Sequence, residues 1–164
     1  MFTHVVVGSN DLAKSKAFYD AIFQAVGGNP GMDMGTRLAY ASEHQSLAML
    51  EYFVHLDPED SPDDLVLATA DVPDDVSRKR VLASQLRANW RETPGPPELA
   101  QIGDEFVKKT ETCLLLVPSA LAVNENNWMI NPQHPEFKQI ELNPTEPLRY
   151  DPRMLGGRPR RRKQ

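Results

Sequence analysis

Four polar residues sit within apolar or turn-forming stretches, and their types suit work on a polar substrate: Tyr40, Glu51, Ser119 and Asn131. Glu51 lies in Ala48-Met49-Leu50-Glu51-Tyr52-Phe53-Val54, where a carboxylate loses much of its water. An unpartnered buried charge is costly, so this group must be paired or face a cavity. A salt bridge or a helix edge would explain the spacing as well as a functional site does. Ser119 follows an apolar run in Val117-Pro118-Ser119-Ala120, where a hydroxyl either caps a turn or faces a site. Asn131 opens Asn131-Pro132-Gln133-His134-Pro135, a rigid turn able to aim a side-chain amide. Tyr40 ends a strand-like segment and, read alone, is a core aromatic.

Other chemistries find little support. His4, His44, His55 and His134 include no i, i+4 pair and have no cysteine partners, so a zinc-type cluster is not indicated. Glu51 and His55 are four residues apart, a spacing that more often marks a helix-face hydrogen bond than a metal site. No G-x-S-x-G elbow and no glycine-rich phosphate loop is present. Cys113 is the sole cysteine, which excludes an internal disulfide and points to a reducing compartment. No apolar run approaches the roughly 20 residues of a membrane span. The start of the chain lacks the features of a secretory signal, so a cytoplasmic location is expected.

The elements that must position these residues are those of a domain-sized α+β chain of 164 residues, 40% hydrophobic and 25% charged. Residues 3–8 read as a β-branched strand, and 12–26 as an amphipathic helix stopped by Gly27-Gly28-Asn29-Pro30-Gly31. Residues 36–42 read as a strand, and Ser42 as the cap of a helix running to about Leu56. An acidic loop spans 57–64. A strand at 65–70 and a short polar helix at 77–88 follow. Thr93-Pro94-Gly95-Pro96-Pro97 precedes a helix at 98–109. Residues 113–117 form a strand buried on both faces, and 127–131 and 137–142 read as short strands.

The formal net charge is −5. Arg158, Arg160, Arg161, Arg162 and Lys163 gather at the end of the chain, leaving the body about twice as acidic as the whole. An acidic body argues against specific nucleic-acid binding. The basic stretch 156–164 reads as a disordered tail.

Several segments together resemble the RES-domain toxin family. They are Leu38-Ala39-Tyr40-Ala41-Ser42, Leu47 through Leu56, Val117-Pro118-Ser119-Ala120, Asn127 through Pro135, and Tyr150-Asp151-Pro152-Arg153. The resemblance covers residues 36–155. It implies an ADP-ribosyltransferase-like fold and the toxin half of a bacterial toxin–antitoxin pair, which degrades NAD by cleaving the nicotinamide–ribose bond. By position, Tyr40 would wall the nicotinamide or its ribose. Glu51 would hold the ribose and stabilise the oxocarbenium-like transition state. Ser119 would hold the nicotinamide side or a ribose hydroxyl, with Asn131 and Asn127 as substrate-binding residues. The implied partners are NAD as substrate and a cognate antitoxin, with no metal and no membrane, and a homodimer is allowed.

The chain departs from the family where a Gly-Arg-Trp segment supplies a phosphate-binding arginine. Asn29-Pro30-Gly31-Met32-Asp33 stands there instead, which predicts impaired activity. Arg37 is three residues from Tyr40, so on a strand the two side chains would face opposite ways. Residues 1–35, with Met1 through Leu12, Ala17-Phe18-Tyr19-Asp20 and Pro30-Gly31-Met32, resemble the opening of a glyoxalase/bleomycin-resistance (vicinal oxygen chelate) protein. That would make them a β-α unit of different origin, with His4 a first metal ligand in metal-using members. Two alternatives follow from these departures: an inactive RES-like protein that binds an antitoxin, and a metal-dependent glyoxalase- or dioxygenase-like protein.

Overall fold

The computed structural model describes residues 2–9, 38–56 and 65–154. The expected helix at 12–26, the loop at 57–64, Arg37 and the basic tail lie outside the described residues.

Eight strands form one sheet among the described residues. They are β1 (Phe2–Ser9), β2 (Ala39–Ser42), β3 (Leu65–Val72), β4 (Arg78–Arg80), β5 (Leu114–Pro118), β6 (Asn126–Ile130), β7 (Glu141–Leu142) and β8 (Glu146–Pro147). Their spatial order is β4-β5-β6-β2-β1-β3-β7, with β8 also on β3. All pairings are antiparallel except that of β4 with β5. β1 lies between β2 and β3, with Phe2 opposite Val72 and Ser9 opposite Leu65. The N-terminal strand therefore belongs to the same sheet as the rest of the chain.

β5, an interior strand beside the edge strand β4, shows why an unbroken apolar run is required where both faces of a sheet are covered. Leu114 and Leu116 join a core with Val72, Val76, Cys113, Trp128 and Ile130. Leu115 points the other way, onto Phe106 and Val107 of helix α2 (Glu98–Lys109). Alternation along the strand makes both faces apolar at once. α2 begins just after Pro96-Pro97, carries Glu98 in its first turn and Lys108 and Lys109 in its last, and stops at Thr110 in the left-handed conformation. It comes so near β6 that a Cβ on Gly103 would lie 3.1 Å from Met129 Cε.

Helix α1 (Gln45–Phe53) carries Glu51. Its Ala48 and Tyr52 pack on Leu65, Leu67, Leu148 and Tyr150 in a separate core. Tyr150 fastens the end of the described chain to this helix: its hydroxyl donates to the Met49 carbonyl at 2.6 Å, and its ring lies 5.4 Å from that of Phe53.

Three expectations are corrected. Ser42 does not cap α1; the N-cap is His44, without a side-chain cap, because Ser42 still lies in β2 and its hydroxyl is engaged across the sheet. The polar helix expected at 77–88 is instead β4 followed by a 3-10 turn at Ala83–Gln85. Arg78-Lys79-Arg80 is a charged edge strand held by its parallel pairing with β5, which overrides its weak strand propensity. The strand expected at 137–142 is a 3-10 helix at Pro135–Gln139 and only the two-residue β7. Pro135 favours the helical start, and the His134 ring accepts from the Glu136 amide to cap it.

Candidate functional site

β2 and β6 pair with Tyr40 opposite Met129 and Ser42 opposite Asn127. Alternation puts Tyr40, Ser42, Asn127 and Met129 on one face of the sheet. α1 turns back after β2 and carries Glu51 to the same place. Glu43, between the two elements, fixes this entry by accepting from the Asn126 backbone amide at 2.9 Å and from its side chain.

Glu51 sits at the end of a short polar chain. Its Oε1 accepts from Asn127 Nδ2 at 2.5 Å and from Ser119 Oγ at 2.9 Å. Asn127 Oδ1 in turn accepts from Ser42 Oγ at 2.7 Å, which sets the orientation of the amide. Ser119 Oγ also accepts from the backbone amides of Leu121 and Ala122, each at 3.0 Å. Ser42, Ser119 and Asn127 are all buried, so the Ser42–Asn127 bond is shielded from water, while the two bonds to Glu51 lie part-buried at the edge of a cleft. Among the described residues no donor reaches Oε2, leaving one carboxylate oxygen for a ligand.

Glu51 opens onto a cleft of about 590 Å³. Tyr40 and Asn127 line it with Glu51, over an apolar floor that includes Leu38, Met129 and Ile102. Burial, and secondarily the negative charge of Glu51, push the Tyr40 phenol well above its ordinary range, while a hydrogen bond with Asn127 works the other way. The ring is therefore neutral at physiological pH. His55 also lines the cleft, and burial lowers its pKa against the opposing pull of Glu51. The Glu51–His55 spacing thus places both groups at one cleft, with His55 at its solvent-exposed edge.

The structure brings together Tyr40, Glu51, Ser119 and Asn127. Ser119 does not itself line the cleft: its hydroxyl holds Glu51 in place. Asn131 stands apart, buried in the turn after β6, where its Oδ1 accepts from the Gln133 backbone amide at 3.0 Å and its backbone N–H donates to the Cys113 carbonyl at 2.9 Å. Among the described residues no group of three His, Cys, Asp or Glu could hold a metal ion. The backbone of His4 pairs with Ala70, and its side chain lies outside what is described. No described helix is long and apolar enough to cross a membrane.

The far wall of the cleft was not anticipated. Between β4 and α2, residues Leu86, Trp90, Arg91, Thr93 and Gly95 line it. The available signal was an adjacent aromatic and cation, Trp90-Arg91, just before the proline-rich break.

A mixed sheet with a carboxylate, a phenol and an amide converging on one cleft has the make-up of a candidate small-molecule site. Residues 18–151 match the RES domain family, and the chain belongs to that family. It is 34% identical over 125 residues to the Prs ADP-ribosylating toxin of Sphingobium sp. (strain YBL2), covering 75% of this chain and 78% of that protein. It is 35% identical over 123 residues to Toxin Res of Yersinia enterocolitica, covering 73% and 79% respectively. Toxin Res of Pseudomonas putida is 35% identical over 111 residues, with 66% and 73% covered.

Proposed function

We propose that this protein is the toxin of a bacterial toxin–antitoxin pair and consumes NAD by breaking its nicotinamide–ribose bond. The observation that carries this reading is the convergence of Tyr40 and the Ser119- and Asn127-held Glu51 on one cleft. The volume lies within the roughly 300–1,000 Å³ of small-molecule sites. The toxin names of several relatives support the biological role.

The chemistry asks little covalent work of the protein. The bond between ribose C1′ and the nicotinamide nitrogen breaks, and its electron pair goes to that nitrogen, neutralising the pyridinium. Positive charge is left on C1′ and the ring oxygen. A fixed carboxylate beside that centre lowers the barrier because its orientation is set before the charge develops. Ser119 and Asn127 are positioning residues, each acting through Glu51. Tyr40 supplies a flat neutral wall for the nicotinamide or its ribose. A nucleophile then adds to C1′ and gives up its proton. Water or phosphate would make the protein an NAD-degrading enzyme. A protein side chain would make it an ADP-ribosyltransferase, a second reading favoured by the printed name of the Sphingobium relative.

Incubating the purified protein with NAD and resolving the products by chromatography and mass spectrometry tests the proposal. Released nicotinamide with free or phosphorylated ADP-ribose supports degradation, and ADP-ribose bound to protein supports transfer. NAD that binds but is returned intact would point to an inactive binding protein, and the absence of any binding would overturn the reading.

A further inference from the structure

We propose that Arg91, laid over the ring of Trp90, binds the anionic pyrophosphate portion of the substrate. This assignment rests on the dinucleotide reading of the cleft and identifies the group that meets the substrate's negative charge.

The charge inventory of the cleft leads to it. The lining carries three carboxylates, Glu51, Glu92 and Asp104, against one guanidinium, Arg91, and no lysine among the described residues. A dinucleotide is itself bipolar, with a cationic pyridinium at one end and two negative phosphates in the middle. Glu51 suits the cationic end, but an acidic cleft repels phosphates unless a cation meets them. Arg91 is the one permanently cationic side chain among the described lining residues.

Its geometry is suited to the task. The guanidinium carbon of Arg91 lies 4.8 Å from the centroid of the Trp90 ring, a cation–π contact that limits the freedom of a long side chain. No ion pair ties Arg91 to a carboxylate among the described residues, whereas Arg87 in the same segment is held by Glu98 at 2.9 Å. The planar fork of five donors in arginine matches two phosphate oxygens at once. The segment bearing it runs between β4 and α2 and forms the far wall of the cleft, about 40 residues from Glu51 along the chain.

Arg91→Ala and Arg91→Lys separate binding from chemistry. Calorimetry with ADP, which carries the pyrophosphate but no bond to cleave, should show Kd rising about tenfold or more in Arg91→Ala, with partial recovery in Arg91→Lys. If NAD is cleaved, KM should rise by a similar factor while kcat stays within about twofold. Cleavage of nicotinamide riboside, which lacks phosphate, should be unchanged. Wild-type protein that fails to bind ADP, or Arg91→Ala binding ADP within twofold of wild type, would overturn the assignment. Equal losses on riboside and dinucleotide would also overturn it, by showing a merely structural role. ADP binding that depends on Arg91 without NAD turnover would leave the assignment standing and refute only the cleavage reaction.

Discussion

Among the described residues both side-chain hydrogen bonds to Glu51 arrive at Oε1, from Ser119 and Asn127, and this one-sided arrangement sets how the carboxylate meets a ligand. Ser42 matters because it donates to Asn127 Oδ1 and so turns Nδ2 toward Glu51. Ser42→Ala should cost about 1–3 kcal/mol by orphaning a buried acceptor, measurable as a lower urea midpoint. Asn127→Asp is the sharper test. It would set a second carboxylate where a donor now lies 2.5 Å from Glu51 Oε1, and like charges at that distance cannot both ionise. Turnover near pH 7 should fall at least tenfold, with a lower Tm, whereas an unchanged rate would show that the amide does not position Glu51. This relay was only partly legible in sequence. The apolar surroundings of Glu51 announced a partner or a cavity. That Ser42 serves Asn127 rather than capping a helix depends on the β2–β6 register, which joins residues far apart in the chain.

At the scale of elements, α1 depends on what packs behind it. Tyr150 closes onto this helix through its bond to the Met49 carbonyl and its ring contact with Phe53. Tyr150→Phe should lose roughly 1 kcal/mol, the typical net worth of one such bond. Tyr150→Ala should lose about 3–5 kcal/mol, as other large aromatic truncations do, and should reduce activity through α1 although Tyr150 is not a residue of the cleft lining. Chemical unfolding and nicotinamide release on the two variants separate these effects. Strong local patterns, such as the Leu114–Leu116 run and the proline-led start of α2, were legible because periodicity and caps lie within a few residues. Arg78-Lys79-Arg80 was not, since nothing local makes three cations a strand; the parallel edge of β5 does. Ser77 reinforces that edge, as its hydroxyl accepts from the Cys113 amide at 3.0 Å and donates to Glu136.

For the whole molecule, proton binding links stability to alkaline pH. Burial pushes the Cys113 thiol up to about 11 from an ordinary 9.0, with Glu136 adding to the shift. Tyr40 and Tyr150 are likewise raised, chiefly by burial. Each group holds its proton longer in the folded state than in the unfolded chain. Stability is then fully present below about pH 9 and is lost as the pH climbs toward the folded values. Urea unfolding at pH 8 and pH 10.5 should show the lower midpoint at pH 10.5, and equal midpoints would contradict the shifts. The placement of β1 between β2 and β3 makes the sheet continuous from the N-terminal strand to β8, so the cleft residues rest on one framework.

The most direct test of the central claim compares nicotinamide release from NAD by wild-type protein and by Glu51→Gln. The substitution keeps shape and removes charge. A carboxylate that stabilises the developing cation predicts a fall in kcat of about 10²–10³, with an NAD affinity and a Tm close to those of wild type. Nicotinamide release at the wild-type rate by Glu51→Gln would contradict the account.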